Sequence, residues 1–153
     1  MNQENNLRSQ AHDLKLARDY EGLLIIRERI LHDLERDGTD IGGMANALNN
    51  LAALNLRLGR LNSAEGYARR AIALLEHAEL AQRIESLATN HHLLSYILSA
   101  QGRFEDALVE GQLAVEMFGM SRLAEDQFLN DRRSDLDHIR NRDWQSLFKS
   151  FDF

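Results

Sequence analysis

The chain has 153 residues, 44% hydrophobic and 27% charged, with a formal net charge of −6, no cysteine and no proline. Its length suits one domain that buries roughly two thirds of its unfolded surface. Without cysteine there is no disulfide framework, thiol nucleophile or thiolate metal site, and the acidic balance argues against a general nucleic-acid binder, which needs a basic stripe to displace counterions. Residues 1–10 are polar and lack the apolar core of a signal peptide. No apolar run approaches the ~18 residues of a membrane span. A cytoplasmic chain with no membrane partner is the expectation. The lack of proline suits a chain that is helical almost throughout.

Leu7, Ala11 and Leu14 share one helical face within residues 5–16. Arg18-Asp19-Tyr20-Glu21 then reads as a turn, and Tyr20, Leu23, Ile26, Ile30, Leu31 and Leu34 line the next helix. Leu24 and Ile25 widen that stripe and are expected to pack against the next repeat. Residues 37–43, with Gly38, Gly42 and Gly43 among short polar side chains, read as a loop. Two amphipathic segments come next, within residues 45–76. Ala45, Leu48, Leu51, Ala52, Asn55 and Leu58 mark the first; Leu61, Ala64, Ala68, Ala71, Ile72 and Leu75 mark the second. Gly59 sits between them, where a helix ends at positive φ. The small alanines let two antiparallel helices approach closely, so this is a helical hairpin.

Residues 77–82 connect to a third pair over 88–118, broken at Gly102. Ser121 is placed to cap a further helix. Beyond it, charges alternate in sign through Asp131-Arg132-Arg133-Ser134-Asp135, as on a solvated helix face. Arg142-Asp143-Trp144-Gln145-Ser146-Leu147 echoes Arg18-Asp19-Tyr20-Glu21-Gly22-Leu23, which suggests a partial repeat. The apolar tail, Leu147, Phe148, Phe151 and Phe153, is expected to fold back on the last hairpin.

A shift of 43 residues lays Gly102 on Gly59, Phe104 on Leu61, Ala107 on Ala64, Ala114 on Ala71 and Leu94 on Leu51. A fixed period of this kind marks stacked repeats, none of which buries its apolar face alone. In Leu48, Leu51, Ala52, Gly59, Ala64, Ala68 and Ala71, and again in Leu94, Gly102, Phe104, Ala107, Gly111 and Ala114, the chain resembles the tetratricopeptide repeat family. Its longer period, with Ala47-Leu48-Asn49-Asn50-Leu51-Ala52 and Leu58-Gly59-Arg60-Leu61-Asn62-Ser63-Ala64-Glu65, is similar to the kinesin-light-chain type. The resemblance implies an all-α fold: an α-α superhelix, or solenoid, of about three helical hairpins (residues about 4–36, 44–77 and 86–118). A C-terminal capping helix within 121–153 completes the single domain.

It also implies a concave groove lined by the first helix of each hairpin, where extended peptides lie. Carried across, that face holds Arg8, His12 and Lys15, then Asn46, Asn49, Asn50 and Arg57, then Thr89, His92 and Tyr96. Asparagine amides donate and accept, which suits the backbone of an extended chain. Arg8, Lys15 and Arg57 would favour an acidic or carboxylate-ended peptide. Members that grip chaperone C-termini use a two-carboxylate clamp. Here Asn50 matches it, but His12, Thr89 and Leu93 replace its asparagine and basic residues, so chaperone binding is not expected.

Catalytic signals are weak. His91 and His92 are adjacent and point about 100° apart on a helix, with His91 expected in the hairpin and His92 on the groove side. Glu28 and His32 read as a surface pair. Asp135 and His138 make one carboxylate-x-x-histidine unit where di-metal bundles need two. No HExxH, phosphate-binding glycine loop or serine elbow is present. The expectation is therefore a non-enzymatic interaction module or adaptor, without cofactor or metal, for a protein or peptide partner. Its alternatives are a homo-oligomeric assembly protein, such as a homodimer closed through the Leu24/Ile25 region or the tail, and a peptide sensor acting through a separate effector.

Overall fold

The computed structural model describes residues 3–121 and 125–149. Among them are eight helices: α1 Gln3–Leu16, α2 Tyr20–Asp37, α3 Ile41–Arg57, α4 Leu61–Glu76, α5 Arg83–Ala100, α6 Phe104–Met120, α7 Asp126–Arg140 and α8 Trp144–Lys149. Each packs on the helix after it, with α3 and α8 also touching α5. The result is an all-α superhelix of antiparallel hairpins.

One turn is used four times. Arg18, Gly59, Gly102 and Arg142 all have positive φ, at 57°, 73°, 78° and 55°. In each case the N–H of that residue bonds the carbonyl three back, and the next N–H bonds the carbonyl five back: Asp19 to Leu14, Arg60 to Asn55, Arg103 to Leu98 and Asp143 to His138. This is the Schellman geometry, which satisfies carbonyls that a helix end leaves open. Glycine holds the left-handed residue in the middle turns, and arginine holds it in the outer ones. The outer turns add an aspartate cap instead: Asp19 Oδ1 accepts from Gly22 N at 2.9 Å, and Asp143 Oδ1 accepts from Ser146 N at 3.1 Å. The echo between residues 18–23 and 142–147 is thus a shared turn.

Two boundaries differ from the sequence reading. α3 starts at Ile41 because Asp40 caps it, its Oδ1 accepting from Gly43 N at 2.7 Å; Gly42 and Gly43 are helical, not loop. Ser121 does not cap α7. It comes directly after the end of α6, and its hydroxyl donates to Glu85 at 2.8 Å. The C-terminal region carries two helices rather than one, and its residues 122–124 and 150–153, with Phe151 and Phe153, lie outside the described residues.

Leu23, Leu51 and Leu54 are buried between the first two hairpins, and Ala52, Ala64 and Ala68 let α3 and α4 close together. Leu147 is fully buried, and Trp144 and Phe148 pack against the same cluster, so these residues do fold back. Leu24 packs inward, but Ile25 remains 66% exposed. Across the outer side, Arg60–Glu21, Arg103–Glu65, Arg142–Glu105 and Arg70–Glu35 tie the second helix of each hairpin to its neighbour. Apart from Glu65, which is half-buried, these groups are exposed, and such pairs contribute little each to stability.

Candidate functional site: the inner groove

Two adjoining clefts open on the inner face. The larger, about 570 Å³, lies between the N-terminal halves of α3 and α5, with Arg8 from α1 and residues 80–82 also lining it. The smaller, about 240 Å³, runs between α1, α2 and α3 past Ala11, His12, Lys15, Arg27, Ile30 and Asn50. Arg8, Gly43 and Asn46 line both, so the clefts form one continuous trough.

Helical spacing explains the lining. Arg8, His12 and Lys15 stand three and four residues apart, as do Asn46, Asn49 and Asn50, which places each set on one face. Amides run across the floor. Asn50 Nδ2 donates to Asn46 Oδ1 at 3.4 Å, Asn49 Nδ2 to Asn90 Oδ1 at 3.1 Å, and Asn90 Nδ2 to the Ser86 carbonyl at 2.9 Å. Arg27 reaches in from α2 and donates to the Asn50 carbonyl at 3.0 Å. Burial lowers its pKa from the ordinary arginine value, yet a guanidinium stays charged. Among the described residues, no aspartate or glutamate lines either cleft, whereas Arg8, Lys15, Arg27 and His12 do. In a chain of net charge −6, this trough is locally basic.

Seven of the ten expected residues line the trough: Arg8, His12, Lys15, Asn46, Asn49, Asn50 and Thr89. Three do not. Arg57 lies outside both clefts, its guanidinium 5.0 Å from the centre of the Tyr20 ring. Tyr96 is only 1% exposed and gives its hydroxyl to Asp135 Oδ2 at 2.9 Å. His92 Nε2 lies 3.1 Å from the same oxygen. Both are covered by α7, which takes the inner face of the third hairpin. The apolar run around them was the available signal, since a helix apolar on all sides is a buried one. His91 sits inside its hairpin as expected, with Nδ1 2.6 Å from Glu110 Oε2. Arg27 was missed because it stands on the second helix of its hairpin, away from the expected lining. Asn90 was missed because the 43-residue shift pairs it with buried Ala47.

Around Asp135, burial favours the protonated form, but bonds from His92 and Tyr96 and the Arg132 charge outweigh it and hold the carboxyl below its usual range. Burial holds His92 below the usual histidine value, the Asp135 bond opposing this and Arg132 adding to it. His32 is 3.7 Å from Asp33 rather than paired with Glu28. Among the described residues, no group of three or more histidines and carboxylates is placed to hold a metal ion, and no helix is long and apolar enough to cross a membrane. Compared with known proteins, the chain matches no family model and no curated sequence.

Proposed function

We propose that the chain is a non-enzymatic protein-interaction module that holds an extended, acidic peptide segment in the inner trough. The observation that carries this reading is the trough's lining: three cations, one histidine and a row of amides, with no carboxylate among the described residues. Charged donors gain most from carboxylate acceptors. Asn46, Asn49 and Asn50 supply the donors and acceptors that a peptide backbone needs when no strand edge is offered. The repeat period and its resemblance to tetratricopeptide repeats support the same use of the inner face.

The test is selection from a random-peptide display library on the full chain, beside Arg8→Glu/Lys15→Glu and Asn46→Ala/Asn50→Ala. Enrichment of acidic sequences on the wild type, lost on both variants with helical circular dichroism unchanged, supports the trough as the site. Peptides retained equally by all three proteins, or no enrichment on the wild type, would overturn it.

A further inference from the structure

The seam between α5 and α7 holds a charged cluster. Among the described residues, Asp135 is the one buried carboxylate. Its Oδ2 accepts from the Tyr96 hydroxyl at 2.9 Å and lies 3.1 Å from His92 Nε2. That same nitrogen is 3.0 Å from Arg132 Nη1. The ring's other nitrogen, Nδ1, lies 3.4 Å from the same guanidinium nitrogen. A neutral imidazole therefore serves both neighbours, donating from Nε2 to Asp135 and accepting at Nδ1 from Arg132; an imidazolium has no lone pair left for the guanidinium. Arg132 Nε is itself buried without a hydrogen-bond partner, 3.5 Å from Asp135 Oδ2. Among the described residues, the charged and titratable groups facing His92 are Asp135 and Arg132 from α7 and Tyr96 from its own helix, while α6 presents the Phe118 ring at 6.5 Å.

With a neutral imidazole, the described residues of this cluster set the Arg132 cation beside the Asp135 anion. A second proton on the ring sets an imidazolium 3.0 Å from the Arg132 guanidinium, and the two repel. We propose that the seam is a proton-operated latch: protonation of His92 drives the Arg132 guanidinium out and frees α7 and α8 from both helices of the third hairpin, α5 and α6. Arg132 has a route outward, since its side chain is 18% exposed and lies over the Phe128 ring. Release uncovers His92 and Tyr96 and extends the trough along the third hairpin. Linkage gives the sign. A histidine held neutral when docked and free to protonate when released contributes nothing to the balance at high pH. It favours release progressively below about pH 6.5. The latch works whatever the trough binds.

Hydrogen exchange on the full chain, read as protection factors segment by segment, tests it, with emission from the single Trp144 on α8 as a second reporter. Protection of α7 and α8 should fall by up to about tenfold for each pH unit below about 6.5, the slope of one proton, while α3 and α4 stay protected. His92→Gln should remove that dependence. Arg132→Gln should also hold α7 in acid, because a lone imidazolium then pairs with Asp135; a merely structural arginine would give the opposite result. His91→Gln and His138→Gln, altering the histidines beside Glu110 and Asp143, should leave the release intact. Unchanged α7 protection in acid, or wild-type release in His92→Gln, would overturn the proposal. If His92→Gln fails to dock α7 at any pH, the Arg132→Gln profile decides it.

Discussion

Arg18 and Arg142 occupy the left-handed backbone region that Gly59 and Gly102 occupy in the two middle turns. For a residue with a Cβ, that region costs about 1–2 kcal/mol. Arg18→Gly should therefore raise stability by about 1 kcal/mol, seen as a higher urea midpoint. A lower midpoint would mean that the arginine side chain contributes more than its backbone loses. Asp135 carries a second prediction. Its carboxyl is held below the usual range in the native state, so it stabilises the fold above about pH 4 and that contribution is lost as the pH falls through the lowered value. In urea titrations Asp135→Asn should be less stable than wild type at about pH 7, and the gap should narrow as the pH falls below about 4 and through the lowered value. Single residues were legible where one helix decided their fate: Asn46, Asn49 and Asn50 line the trough because three- and four-residue spacing puts them on one face. His92 and Tyr96 were not, because their burial depends on α7, some forty residues away in sequence.

Among the helices, caps decide boundaries that hydrophobic period alone leaves open. Asp40 recruits Gly42 and Gly43 into α3 although both are poor helix formers. Asp40→Ala should lower stability by about 1 kcal/mol, with the exchange loss concentrated in the first turn of α3. α7 depends on one close approach instead. A Cβ on Gly111 would meet Leu136 Cδ2 at 2.8 Å, with Ile139 Cδ1 at 3.5 Å. An added methyl can be met by a shift of the flexible leucine, but Gly111→Val adds branches that also press on Ser95 and Ile139. That variant should lose α7 protection at neutral pH while the first two hairpins keep theirs. α7 was expected as a polar-faced end piece, and its exposed residues agree with that. Its buried Asp135, Leu136 and Ile139 make it the cover of the third hairpin as well.

For the whole molecule, the repeat period was the strongest signal, since matching small residues at a fixed shift leave few alternatives to stacked hairpins. It placed the alanine seams and the inner face. It did not anticipate where the groove stops, because the shift treats every hairpin as equivalent while the third is covered by α7. The trough's charge makes a prediction at this scale. Its affinity for an acidic peptide should weaken as salt is raised and the screening length shortens toward contact distance, as fluorescence anisotropy across a salt series would show. An affinity indifferent to salt would point to apolar anchoring instead.

The neighbour-by-neighbour packing of α1 to α8 also bears on how quickly the chain finds its structure. Most of its contacts join segments close in sequence, so little loop entropy is lost before they form, and helical chains of this kind fold in microseconds to milliseconds. With no X–Pro bond anywhere in the 153 residues, the isomerisation that takes tens of seconds in other proteins has nothing to act on. Refolding from urea should be over within the first second of a stopped-flow trace, leaving the slow baseline flat.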